Sequence, residues 1–183
     1  IQTSIGKISY DYLVLAAGAT TNFFGNTHVA EEAMPMKNVG EAMGLRNALL
    51  DNFERALTCA GDQERQELLN IVIVGGGATG VEIAGALSEM KNYVLPKDYP
   101  DLPSSLMHIY LIEAGDRLLS AMSPESSEHV EKYLRSMGVN VLLGKMVTDY
   151  VDHRVMLKDG SSIATRTFIW VSGVAAQPIG NLD

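Results

Sequence analysis

The sequence predicts an α/β fold in which a parallel sheet carries helices on both faces and is extended by an antiparallel β-meander. The first observation is that apolar runs alternate with helical patterns, which is typical of strand–helix–strand units. The second is a group of short strand-like runs after residue 139, with a hairpin signal between them. The third is that no apolar run reaches the about 18 residues of a transmembrane helix, so no transmembrane helix is predicted.

The first third of the chain predicts one strand, one loop and one helix. Residues 8–16 are mostly apolar and predict a buried strand, whereas residues 21–38 carry mixed polar and small residues with Pro35 and predict a loop. From Glu41 to Ala60, apolar side chains recur at steps of three and four, which predicts a helix. Gly61 follows and is expected to end it.

The middle and the end of the chain predict alternating elements. Residues 69–74 form the continuous apolar run of a parallel strand buried on both faces, and a helix to about Tyr93 follows. Three prolines within residues 94–105 predict an irregular insertion before a strand at residues 107–113. The remaining predictions are a helix from Pro124 to Met137, capped by Ser123 and ended by Gly138, strands within residues 139–144, 147–157 and 162–173, and a hairpin turn at Lys158-Asp159-Gly160.

Composition excludes several classes of function. The net charge is −8, from 22 acidic and 14 basic residues, which argues against a nucleic-acid partner because no basic stripe is available for phosphates. A single cysteine, Cys59, excludes an internal disulfide and a CxxC redox pair within these residues. The four histidines are scattered without metal-ligand spacing, so no metal site is predicted. The chain begins at Ile1 within a strand-like run, and we expect it to be an excised fragment.

The segment Gly75-Gly76-Gly77-Ala78-Thr79-Gly80 matches the pattern G-x-G-x-x-G. In this pattern the first glycine allows a tight turn, the second lets the backbone approach a pyrophosphate, and the third allows close packing of helix on strand. Here the segment follows an apolar strand and opens a helix, whose amides and dipole would face the phosphates. It therefore predicts dinucleotide binding; a purely structural turn is the alternative, and a P-loop is disfavoured because no Gly-Lys-Ser/Thr follows.

Glu113 ends the next predicted strand, where a carboxylate can accept hydrogen bonds from both ribose hydroxyls of an adenosine. It would repel a 2′-phosphate and so predicts NADH over NADPH. Its distance from the glycines exceeds the usual gap of about 20 residues, and the proline-rich insertion accounts for the excess. The alternative is a solvated acid at a strand end. Ala114 is placed in the same site, and Arg117 is either a phosphate contact or a surface residue.

The strings IVIVGGGATGVEIAGAL, HIYLIEAGDRLL and FIWVSGV resemble the NADH domain of type II NADH dehydrogenases, within the pyridine nucleotide-disulphide oxidoreductase superfamily. YDYLVLAAGATTNFFG resembles the segment of the flavin domain that precedes it. The resemblance implies an FAD/NAD(P)-binding fold of the Rossmann type. It also implies pyrophosphate contacts at Gly77, Ala78 and Thr79, ribose recognition at Glu113, a wall near the nicotinamide at Gly173, and an acid near nicotinamide and flavin, a catalytic candidate, at Glu82.

The same resemblance implies how the chain is divided. Residues 1–38 would be a remnant of the FAD domain and linker, 39–62 the connecting helix, 63–172 the NADH-binding domain and 173–183 the return to the FAD domain. Ala78 and Ser172 depart from the family's common proline and alanine by small changes.

In the full-length enzyme, the resemblance implies FAD as a second cofactor, a quinone as acceptor, and contact with a membrane surface through a C-terminal region. It implies a location in the cytoplasm or on the cytoplasmic face of the inner membrane, and it leaves a homodimer open. The fragment alone is expected to be inactive. Two alternatives remain: another flavoprotein reductase of the ferredoxin or disulfide type, and a non-catalytic NAD-sensing module.

Overall fold

The structure, a computed structural model, describes residues 1–180. Within that range the α-helices are α1 (Thr27–Glu32), α2 (Val39–Thr58), α3 (Asp62–Leu69), α4 (Ala78–Glu89), α5 (Leu95–Asp98) and α6 (Pro124–Ser136). The strands are β1 (Gln2–Thr3), β2 (Gly6–Lys7), β3 (Ala19–Thr21), β4 (Met34–Pro35), β5 (Asn70–Val74), β6 (His108–Ile112), β7 (Val139–Leu142), β8 (Val147–Val151), β9 (Arg154–Leu157), β10 (Ser162–Ala164), β11 (Thr167–Trp170) and β12 (Val174–Ala176). A π-helical turn (Met90–Val94) joins α4 to α5, and a 3₁₀ turn (Ser104–Leu106) precedes β6.

The centre of the fold is a five-stranded sheet of order β4-β11-β5-β6-β7. All four neighbouring pairs in this sheet are parallel. β5 lies in the middle, and all five of its residues are buried, which explains its continuous apolar sequence. The predicted meander is a separate antiparallel sheet of order β10-β9-β8, and β12 pairs antiparallel with β3. The predicted α/β fold class is confirmed.

The two faces of the sheet are covered differently. Successive side chains of a strand point to opposite faces, so Ile71 and Ile73 of β5 pack in a core formed with α2, α3, α4 and α6. Val72 and Val74 pack in a second core with α1 and the meander. Among the described residues, the second face therefore carries one short helix, and the antiparallel strands cover most of it.

Local capping explains where two of the predicted helices begin. At α2, the Asn38 side chain accepts a hydrogen bond from the Glu41 amide (3.0 Å) and Glu41 accepts one from the Asn38 amide (3.2 Å), which is a capping box. At α6, the Ser123 hydroxyl accepts from the Ser126 amide (3.2 Å), and Pro124 occupies the first position. Both helices lie within two residues of their predicted bounds, and the predicted turn at Lys158–Gly160 joins β9 to β10.

The predicted buried strand at residues 8–16 is wrong. None of these residues forms a strand, and their side chains are exposed, Tyr12 by 93% and Val14 by 85%. A strand needs a neighbour for its backbone hydrogen bonds and a core for one of its faces. Within residues 1–180, no strand pairs with this segment. An apolar pattern alone does not reveal whether that neighbour is present.

The predictions also missed short helices. The predicted loop at residues 21–38 contains α1, which is capped by Asn26 Oδ1 accepting from the Val29 amide (3.0 Å). α1 buries only Val29, so it has no apolar periodicity to detect. α3 begins directly after Gly61, and the prediction assigned no element there. The predicted irregular insertion at residues 94–105 is partly helical, because the π-helical turn continues α4 into α5.

Candidate dinucleotide site

The glycine-rich turn lies at the carboxyl edge of the parallel sheet, where β5, β6 and β11 end at Val74, Ile112 and Trp170. Ligands of parallel α/β sheets bind at this edge. Gly75 has φ +118°, in the region that favours glycine. A Cβ there would lie 2.9 Å from the backbone of Val171 and Ser172. Gly75 is therefore required for the turn and for the close approach of the chain after β11.

Two more glycines of the turn are required by packing. A Cβ on Gly80 would lie 1.9 Å from the carbonyl oxygen of Gly75, which shows how closely α4 packs on the turn. A Cβ on Gly76 would lie 2.7 Å from Leu118 Cδ2 and 2.9 Å from Glu113 Cγ. The tight turn at Gly75 and the helix contact at Gly80 agree with the roles expected from the pattern, whereas the packing constraint at Gly76 was not anticipated.

Gly77 differs from its neighbours. A Cβ there would have no atom within 4 Å, and its φ of −75° suits any residue. Gly77 is the N-cap of the twelve-residue helix α4 and has no side-chain cap. Gly77, Ala78 and Thr79 are all exposed, so the first amides of α4 face solvent. Free amides at a helix N-terminus, together with the helix dipole, favour an anion.

The structure brings Glu113 to the glycine turn despite the long insertion between them. Its Oε2 accepts a hydrogen bond from the Gly76 amide (2.6 Å), and its Oε1 accepts one from the Gly115 amide (2.7 Å). A carboxylate has about four lone-pair sites, so two bonded amides leave room for further donors. Glu113 is half-buried, and the adjacent Ala114 is exposed. The acid therefore organises the turn and remains open on one side.

The Arg117 side chain forms hydrogen bonds within its own loop. Its Nη2 donates to the Ser120 carbonyl (2.7 Å) and its Nη1 to the Met122 carbonyl (3.3 Å). Among residues 1–180, none of its recorded hydrogen bonds reaches the glycine turn. The guanidinium stabilises the loop before α6 in this arrangement, which agrees with the surface alternative for this residue.

Two other candidate residues meet on the far side of the turn. Thr79 and Gly173 line one cavity of about 240 Å³ together with Met36 and Lys37. Gly173 has φ +82°, so glycine is favoured there. Glu82 follows Thr79 by one turn on the same helix face and is exposed. The sequence candidates thus form two groups, one around Glu113 and one around Gly173, with the exposed amides of α4 between them.

A larger cavity of about 540 Å³ opens at the carboxyl edge and contacts all three strand ends there. Among its lining residues are some that the sequence analysis did not select as site candidates: Phe23, Phe24, Lys145 and Met146. The two phenylalanines stand in the string TNFFG, which served only as a mark of resemblance. Lys145 donates its amide to the Glu113 carbonyl (3.0 Å), and its ammonium pairs with Asp159, which lowers the pKa of that carboxyl.

No group of three or more His, Cys, Asp or Glu side chains within residues 1–180 is arranged to hold a metal ion. None of the helices in that range is long and apolar enough to cross a bilayer.

Comparisons with known proteins agree with this geometry. The type II NADH:quinone oxidoreductase of Mycobacterium tuberculosis is 34% identical over 93% of this chain and 38% of its own length. The mitochondrial external alternative NAD(P)H-ubiquinone oxidoreductase B3 of Arabidopsis thaliana is 36% identical over 94% of this chain and 30% of its own. The chain thus spans about a third of the length of these relatives.

Solved structures give the same fold. NDH2 from Plasmodium falciparum in complex with NADH matches 93% of this chain and 36% of its own, with a TM-score of 0.85 and 28% identity. A ferredoxin reductase from Rhodopseudomonas palustris matches with a TM-score of 0.66 at 18% identity, which shows the fold alone. The family model described as pyridine nucleotide-disulphide oxidoreductase matches residues 2–181, and the chain belongs to that family.

Proposed function

We propose that this chain is the NADH-binding part of an FAD-dependent NADH:quinone oxidoreductase and presents NADH for hydride transfer to the flavin. The observation that carries the proposal is the difference among the glycines. A Cβ added at Gly75, Gly76 or Gly80 would collide with neighbouring atoms. A Cβ added at Gly77, at the uncapped start of α4, would have no atom within 4 Å. The relatives that are 34% and 36% identical carry NADH or NAD(P)H and a quinone in their names, which favours this reading over a ferredoxin reductase.

NADH would lie along the carboxyl edge of the sheet. The amides of Gly77, Ala78 and Thr79 hold the pyrophosphate in this proposal, since these three residues are exposed at the uncapped start of α4. Glu113 accepts the adenosine ribose hydroxyls with the lone pairs that its two amide bonds leave free, beside Ala114. The nicotinamide then reaches the Gly173 end, with Glu82 one helical turn beyond Thr79.

The charge on Glu113 sets the expected preference between cofactors. A 2′-phosphate would stand beside an uncompensated carboxylate, since Lys145 is paired with Asp159 and Arg117 is bonded to its own loop. NADH is therefore the expected ligand.

We propose the same division of the chain as the sequence suggested: residues 1–38 as a remnant of the FAD domain and linker, 39–62 as the connecting helix and 63–172 as the NADH-binding domain. Residues 173–183, of which 181–183 lie outside the described residues, are the start of the return to the FAD domain. The sequence has one G-x-G-x-x-G segment, which NADH occupies in this proposal, so FAD would be held largely by other residues of the whole enzyme. FAD supplies the acceptor ring for the hydride there, and a quinone takes the electrons onward. Attachment to the cytoplasmic face of the inner membrane and a homodimer belong to the same proposal for the whole enzyme.

The exposed position of Gly77 provides a clean test by calorimetric titration with NADH. Alanine fits the free protein there, because no atom lies within 4 Å and the backbone is ordinary. A bound pyrophosphate would meet the added methyl group, so Gly77→Ala should weaken NADH by about tenfold or more. The exchange of an N-cap glycine for alanine should lower the free energy of unfolding by only about 1 kcal/mol or less. Gly85→Ala makes the same change on the same helix, also into open space, and should bind like wild type. Wild-type affinity in Gly77→Ala would refute the proposed site.

A further inference from the structure

The turn at residues 22–25 presents an aromatic ring at the carboxyl edge. Phe24 has φ +52°, in the left-handed region that bulky residues rarely adopt, and 66% of its surface is exposed. Side chains held in this region tend to cluster at functional sites, where the surrounding structure keeps them there. Phe24 therefore requires an explanation beyond packing.

Hydrogen bonds tie this turn to the end of β11. Asn22 Oδ1 accepts from the Phe24 amide (2.8 Å), and the Asn22 carbonyl accepts from the Trp170 indole (2.9 Å). The Asn22 amide donates to the Gly173 carbonyl (3.3 Å). These three bonds fix the backbone of Phe24 relative to the carboxyl edge of the sheet.

The ring of Phe24 contacts Trp170 and Gly173 on one side and is exposed on the other. It meets Trp170 edge to face, with centroids 6.4 Å apart and planes at 64°. It also covers Gly173, where an added Cβ would lie 2.7 Å from Phe24 Cζ. The same ring lines the 540 Å³ cavity with Gly75 and Ser172. A rigid aromatic surface thus stands at the β11 end of the cavity.

We propose that Phe24 is the residue on which the nicotinamide ring of NADH stacks, which rests on the proposed function. Glu113 holds the adenosine ribose at the β6 end, so the other ring of the dinucleotide reaches the β11 end, where Phe24 stands. A flat heterocycle gains from an aromatic face that is already fixed before binding. The hydrogen bonds of Asn22 hold that face in place, and the face sets the plane of the nicotinamide.

The test compares NADH with ADP-ribose, which has the same adenosine and pyrophosphate but no nicotinamide. Phe24→Leu removes the aromatic face and should weaken NADH by roughly tenfold and leave ADP-ribose within about twofold. Phe24→Tyr keeps the ring and should bind both ligands like wild type. Tyr93→Leu is the matched control, since Tyr93 is 68% exposed but lies on the π-helical turn after α4.

A second variant distinguishes the effect of the ring on binding from its effect on stability. Glycine accepts φ +52° without strain, so Phe24→Gly should melt at the same or a higher temperature and still lose NADH affinity. An equal loss for NADH and ADP-ribose, or no loss for either, would overturn the proposal. Failure of wild type to bind either ligand would instead overturn the proposed function.

The single tryptophan gives a signal specific to the nicotinamide end. Because Trp170 contacts Phe24, reduced nicotinamide stacked there lies close enough to accept energy from the indole. Saturating NADH should quench Trp170 emission strongly in wild type, and saturating ADP-ribose should not. Unquenched Trp170 emission in the NADH-saturated protein would show that the nicotinamide lies elsewhere and would contradict stacking on Phe24.

Discussion

At the amino edge of the parallel sheet, polar groups are buried and bonded to one another, whereas at the carboxyl edge backbone amides face solvent. Near the start of β11, the Asn52 side chain donates to Thr167 Oγ1 (3.0 Å), and the Thr165 hydroxyl donates to the Asn70 carbonyl (2.6 Å). At the opposite edge, the amides of Gly77 and Ala78 have no side-chain cap. Because an unpaired polar group is tolerated only where water or a ligand reaches it, the contrast separates the structural edge from the binding edge.

Two observations refine this comparison. Arg166 Nε at the amino edge is buried without a partner among the described residues, although Nη2 of the same side chain lies 3.6 Å from Glu64 Oε1 and 3.8 Å from Glu67 Oε2. At the carboxyl edge, Gly76 is fully bonded, since Glu113 accepts its amide and Leu119 donates to its carbonyl (2.8 Å). The open amides are thus a local feature of the start of α4, held in place by a rigid turn.

The largest expected effect comes from breaking that rigid turn. In Gly80→Ala the new methyl group would lie 1.9 Å from the Gly75 carbonyl oxygen, so α4 must move away from β5. The free energy of unfolding should fall by about 3 kcal/mol, measured by urea denaturation, and NADH binding should be lost with it. Gly77→Ala, three residues earlier, should cost about 1 kcal/mol or less. Similar stability in the two variants would contradict the assignment of separate packing and binding glycines.

Glu113 gives the next largest effect, because it serves both the turn and the ligand. Glu113→Ala would remove both amide bonds at once, so Glu113→Gln is the sharper variant: it keeps the size and one of the two amide bonds, and it removes the charge. NADH affinity should fall by about tenfold and NADPH affinity by less, because repulsion of a 2′-phosphate is relieved. Glu89→Gln, an exposed change at the end of α4, is the calorimetric control. Equal losses for the two cofactors would end the role of Glu113 in ribose recognition.

The sequence could predict the binding edge because its signal is local. A buried strand, six residues of glycine turn and a helix follow one another, and each glycine acts within a few residues of its position. The contacts that complete the site join distant residues. Glu113 bonds to Gly76 across 37 residues, and Trp170 bonds to Asn22 across 148. A local sequence pattern does not show that the turn at Asn22 meets the end of β11, so Phe24 was not identified as a candidate.

The same limit explains the errors in the fold. The apolar pattern of residues 8–16 indicates a preference for a strand, but it does not show whether a second strand is present to form hydrogen bonds with it. α1 forms because Asn26 caps it and Val29 anchors it in the second core, and one buried residue makes no periodicity. Elements with a continuous or repeating apolar pattern, such as β5 and α2, were predicted within two residues.

The smallest expected effect tests the amino edge alone. The Tyr150 hydroxyl donates to the Thr165 carbonyl (2.9 Å), and burial raises the pKa of Tyr150 from 10.0 to about 12. Because the folded state favours the neutral phenol, this contribution to stability is complete below pH 10 and is lost between pH 10 and about 12 as the unfolded chain ionises first. Tyr150→Phe should cost about 1 kcal/mol at neutral pH and lose less stability than wild type across that alkaline range, as followed by urea unfolding at each pH. NADH affinity at neutral pH should stay within about twofold of wild type, since the change lies away from the carboxyl edge. A Tyr150→Phe variant that unfolds normally but binds NADH much more weakly would show that the two edges are coupled, and the separation of structural edge from binding edge would fail.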